Sequence, residues 1–141
     1  MNTNKFIVGG IIGGIAFFLL GWLVWGMLLK DFMAANVGSA GNVMKADADV
    51  TWWALIVGNI FSGLLVSYVL GKAGAKGAGA GAGIGAVLGL LLAGGFDFVM
   101  LGVSNLMTTK GALVDIAANI VVTAVVGAIV GWYWGMGKKA A

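Results

Sequence analysis

Four apolar runs, at about residues 6–29, 51–71, 83–107 and 112–134, constrain this chain more than anything else in it. A helix needs about 20 predominantly apolar residues to cross the hydrocarbon layer of a bilayer, and each run meets that length. Composition agrees. Of the 141 residues 61% are hydrophobic and 9% charged, with a mean hydropathy of +1.06, which is too apolar for a water-soluble domain of this size. The expectation is an all-α membrane protein, a single transmembrane domain of four helices over residues 1–141 with the lipid bilayer around it.

The absences narrow the chemistry. The chain has no Cys, His, Arg, Glu or Pro. Haem, zinc and iron-sulfur sites of the common kinds lose their ligands, and bidentate phosphate recognition loses its guanidinium. No strand precedes the Gly/Ala run at residues 73–83, so it is not a dinucleotide fingerprint. No cofactor and no enzymatic activity are expected. A net charge of +3 hints at nucleic acid, but the eight Lys stand singly or in pairs near the ends of the apolar runs, a pattern of membrane topology, and no nucleic-acid partner is expected.

The first run is longer than the roughly 7–15 residues of a signal h-region and is read as an uncleaved helix. Trp22, Trp25, Trp52, Trp53, Trp132 and Trp134 fall at run ends, where amphipathic rings suit the membrane interface. Residues 30–50 form an extracytoplasmic loop, residues 72–82 a flexible Gly/Ala linker, and residues 135–141 a short tail. Lys5, Lys72, Lys76, Lys138 and Lys139 lie on one side, against Lys30, Lys45 and Lys110 with Asp31, Asp47, Asp49 and Asp115 on the other. Retention of cationic loops inside places both termini in the cytoplasm. The expected location is a bacterial cytoplasmic (inner) membrane, crossed several times.

An internal duplication is also legible. Gly9, Ile12, Gly13 and Ile15 align with Gly81, Ile84, Gly85 and Val87, while Asn59, Gly63, Val66, Ser67 and Gly71 align with Asn119, Thr123, Val126, Gly127 and Gly131. The two offsets, 72 and 60, make residues 6–71 and 83–134 two hairpins in a parallel repeat, related by an axis along the membrane normal. Gly63, Ser67 and Gly71, then Gly127, Gly131 and Gly135, are ladders of small residues that let helices approach closely; Gly81, Gly85 and Gly89 form a third. The even-numbered helices are expected to cross closely, with Asn59 near Asn119.

Asp97 is the acid farthest inside an apolar run. At 1.5 Å per residue it lies roughly 20 Å from one boundary and roughly 15 Å from the other. A charge there costs at least about 2.5 kcal/mol, so it must pair, take a proton or face the interior. Two readings stand. It is an ion or proton site with Asn59, Asn119, Ser62 or Thr123 beside it, or a structural hydrogen-bond node reaching outward through Ser104. The asparagines also serve as interhelical glue. Asp47 and Asp49 make a weak oxygen site at best and are read as solvated.

Two local resemblances bear on identity. Residues 77–89, GAGAGAGIGAVLG, are similar to the glycine-rich helix of rotary ATP synthase proteolipid subunits, although those carry their acid on the partner helix. FFLLGWLVWGMLLKDFMAAN, GGFDFVMLGVSNLM and IAANIVVTAVVGAIVGWYWG resemble a family of small four-helix bacterial membrane proteins of unknown function. That resemblance implies four helices and no particular activity. The leading expectation is a non-catalytic packing or accessory component, partnered by copies of itself or by other membrane-protein subunits. The alternatives are a small ion or solute transporter or channel using Asp97, Asn59 and Asn119, and a lipid or quinone binder.

Overall fold

The computed structural model describes residues 1–41 and 43–136; Lys138 and Lys139, counted above for topology, lie outside the described residues. Among the described residues, four helices are long and apolar enough to cross a membrane. The first is α1 (Thr3–Leu23), prolonged by a π-helical turn over Val24–Leu28. A short α2 (Lys30–Ala35) and a 3-10 turn at Asp47–Asp49 punctuate the loop before α3 (Trp52–Ala73). The bundle closes with α4 (Ala78–Val103) and α5 (Thr109–Gly135).

Two boundaries differ from expectation. The Gly/Ala run is not a linker: α3 ends at Ala73 and α4 begins at Ala78, with Gly74 and Gly77 at positive φ making the turn. Glycine lowers intrinsic helix propensity, but here Gly81, Gly85 and Gly89 are buried against α5, and that packing holds the helix. At its other end α4 stops at Val103 rather than near Met107, because residues 104–108 are taken by another partner. Val37 bridges Met107, Gly38 N–H donates to the Leu106 carbonyl at 3.1 Å, and Thr108 N–H donates to the Asn36 carbonyl at 2.9 Å. A methyl group on Gly38 would run into the Asn105 backbone, so this clasp needs glycine.

Helices pair chiefly within hairpins, α1 with α3 and α4 with α5, while α5 also touches α1 and α3. The contact is backbone on backbone. A methyl group on Gly13 would sit 3.1 Å from the Gly63 Cα, and one on Gly85 would sit 3.1 Å from the Ala124 Cα and closer still to the Thr123 carbonyl. Gly9 lies on Ser67 as Gly81 lies on Gly127, and Gly131 packs on Gly77 and Gly81. The small-residue ladders therefore serve the hairpins first, and the closest approach is not between α3 and α5 as the sequence led us to expect. Those two helices meet mainly through larger side chains. Trp134 covers Gly71 and donates its Nε1–H to Ser67 Oγ at 3.1 Å, and that hydroxyl donates to the Phe6 carbonyl at 2.9 Å.

Lys5 Nζ donates to the carbonyls of Trp134 and Met136, at 3.2 and 2.6 Å. A cation there suits the last turn of α5 and puts the start of α1 and the end of α5 at one end of the bundle, called here the terminal end. The buried apolar core is small, with Val66, Leu70, Val122, Val126, Val130 and Trp134 at its centre. Large apolar side chains such as Leu19, Phe61, Leu91 and Phe96 point outward.

Gly85→Leu is expected to destabilise the α4–α5 hairpin by roughly 3 kcal/mol, since backbone cannot yield as a side chain can. Gly83→Leu, where a side chain meets open space, is expected to stay within about 1 kcal/mol of the parent. Reversible unfolding in mixed micelles reads both.

Candidate polar site between α1, α4 and α5

Asp97 is 3% exposed, six residues inside the end of α4, and Asp115 lies six residues inside the start of α5. Six residues are roughly 9 Å of helix, so Asp97 lies nearer the loop end than the sequence-based boundaries placed it. The two acids are near enough to interact electrostatically. This pairing follows from the hairpin: the glycines of α4 draw it onto α5, and the acids fall at matching heights.

Asp115 is the hub. Its Oδ1 accepts the Trp25 Nε1–H at 2.6 Å, and its Oδ2 accepts the Asn119 Nδ2–H at 2.9 Å. The same amide reaches the Asp115 carbonyl at 3.0 Å. Trp25 sits in the π-helical turn, whose extra residue per turn rotates side chains off the α-helical face. Such turns recur at functional sites. Asp97 Oδ2 is buried and is the one side-chain atom of its kind without a hydrogen-bond partner among the described residues.

Of the residues singled out from sequence, Asn119 bonds to Asp115, which lies within electrostatic reach of Asp97, and Asn59 stands apart. The Asn59 amide donates to the Leu55 carbonyl of its own helix at 2.7 Å. Ser104 offers Asp97 no outward route, because its hydroxyl donates to the Met100 carbonyl at 2.6 Å. Sequence reading missed two members. In sequence Asp115 reads as one of the loop charges, and Trp25 as part of the interfacial belt. The four apolar or small residues between Lys110 and Asp115, Gly111 to Val114, were the available signal for the first; nothing in the sequence marks the π turn. Elsewhere Asp47 pairs with Lys30 at 3.1 Å on the exposed loop, a contact of little energetic weight.

A crevice of about 180 Å³ adjoins the cluster, bounded by Phe17, Ser62, Leu65, Leu92, Asn119 and Thr123. On α5, Asp115, Asn119 and Thr123 follow one another at intervals of four, so they share one face. Comparison with protein-family models, curated proteins and solved structures finds no match to this chain.

Trp25→Phe removes a hydrogen bond to a carboxylate while keeping an aromatic ring. A loss of about 1.5–3 kcal/mol in unfolding free energy is expected, against less than about 0.5 kcal/mol for Trp22→Phe, whose ring is 58% exposed.

Proposed function

We propose that this chain is a four-span membrane protein whose Asp97–Asp115 pair takes up and releases a proton during transport of a small ion or solute. The observation that carries the reading is the buried Asp97 carboxyl, with its Oδ2 unpartnered among the described residues, beside the half-buried Asp115 in a bundle that is otherwise almost free of charge. A lone buried carboxyl oxygen without a donor is costly in an apolar bundle, and proton uptake is one way to relieve that cost. The donors favour a proton over a metal cation. Both Asp115 oxygens already accept N–H groups, which leaves fewer lone pairs to ligate a metal cation.

Several features support the membrane setting. Outward apolar side chains cover all four long helices, and the excess of Lys near the terminal end favours cytoplasmic termini. The matching contacts Gly9 on Ser67 and Gly81 on Gly127, and Gly13 on Gly63 and Gly85 on Thr123, support a parallel repeat. In its frame Trp25 corresponds to Asp97, so equivalent positions of α1 and α4 converge on Asp115. A bacterial inner membrane is the location we favour.

A second reading, a packing or accessory component that binds copies of itself or other subunits, draws on Gly79 and Gly83 of α4. Both face open space one turn apart, where another helix could approach.

Reconstitution in vesicles loaded with a pH-sensitive dye tests the lead. Under an imposed potential we expect proton movement that falls at least tenfold in Asp97→Asn and Asp115→Asn, with both variants folded by circular dichroism. Equal, dye-silent behaviour of parent and variants, together with a stoichiometric assembly in native mass spectrometry, would transfer the weight to the second reading.

A further inference from the structure

We infer that the crevice between α3 and α4 is a lateral binding site for an uncharged, lipid-soluble compound whose head is a single oxygen-bearing ring, of the phenol or quinone class. The inference rests on the membrane setting proposed above and is independent of proton movement at the acid pair.

The crevice exists because α3 and α4, though consecutive, barely touch, each being drawn instead to its hairpin partner. Its rim is exposed, Leu65 at 40% and Leu92 at 53%, whereas its floor is not, Val66 at 1% and Thr123 at 5%. It therefore opens sideways. Ser62 and Thr123 both lie near the middle of their helices, so the opening faces the hydrocarbon layer and not the interface. A phospholipid headgroup, charged and held at the interface, does not reach that depth.

Four features define the occupant. No charged side chain lines the crevice, so a charged head would stay uncompensated in hydrocarbon. Thr123 is nine-tenths buried and lines the crevice, and its hydroxyl is a donor and acceptor that a plain acyl chain cannot use. Asn119 commits its amide N–H groups to Asp115, which leaves its carbonyl oxygen as an acceptor. The volume suits one ring, since an apolar protein cavity of about 150 Å³ accommodates benzene. A ring oxygen accepts from Thr123, a ring hydroxyl also donates to Asn119, and the hydrocarbon tail leaves between Leu65 and Leu92 into lipid.

The test uses the whole protein in lipid nanodiscs and a para-alkylphenol carrying a diazirine in its tail. Photolysis is expected to give saturable labelling of α3 and α4 near Leu65 and Leu92. A short-chain benzoquinone should compete, and the matching alkylbenzene, lacking oxygen, should compete about tenfold less well. Thr123→Val should weaken binding about tenfold, the loss of one hydrogen bond, and Leu92→Trp should abolish it by filling the space. If Leu92→Trp fails to fold, Leu65→Trp plugs the opposite wall. Labelling that rises linearly without saturation, equal competition by the alkylbenzene, or labelling untouched by either plug would overturn the inference. Asp97→Asn is expected to bind the probe as the parent does, so failure of the proton reading and failure of this site are separately visible.

Discussion

Close approach of backbone to backbone at glycine is the constraint on which the rest of this structure depends. Helices in lipid gain little from hiding apolar surface, because the surroundings are equally apolar, so association relies on dispersion at short range. Gly9, Gly10, Gly13 and Gly14 on α1, and Gly81, Gly85 and Gly89 on α4, remove every side chain from two helix faces. The paired helices then come close enough for Cα–H groups to meet carbonyl oxygens. Two tight hairpins result, and everything between them is arranged around α5.

The acid pair is a consequence of that closeness. On a looser hairpin Asp97 would find water or lipid, whereas here it finds Asp115. Trp25 and Asn119 then satisfy Asp115 from two directions, and the remaining unmet oxygen belongs to Asp97. A bundle that uses its polar atoms so sparingly elsewhere concentrates its electrostatic cost at one place.

The two ends are closed by different means. At the terminal end Lys5, Trp134 and Ser67 tie α1, α3 and α5 together by hydrogen bonds. At the loop end, residues 36–40 clasp residues 104–108 through backbone bonds. Neither device draws α3 to α4, and the crevice at mid-depth is what remains between two helices that are each committed elsewhere.

The apolar runs and the glycine spacing, read alone, determined that the chain forms four long helices and which of their faces are small, since both depend on composition and on the 3.6-residue period. Asp97 stood out for the same reason, as a charge in a run of uncharged neighbours. Which faces meet was a different matter. A ladder of small residues states that some backbone approaches, not whose, and the ladders of α3 and α5 turned toward α1 and α4 rather than toward each other. The Gly/Ala run looked like a linker because glycine alone favours disorder; only the surface of α5 makes it a helix. Asp115 and Trp25 joined the polar site by tertiary structure, through a hairpin that equalised heights and a π turn that redirected one ring. Partner choice among apolar helices rests on many small contact energies summed over whole faces, and that sum exists only once the helices are packed.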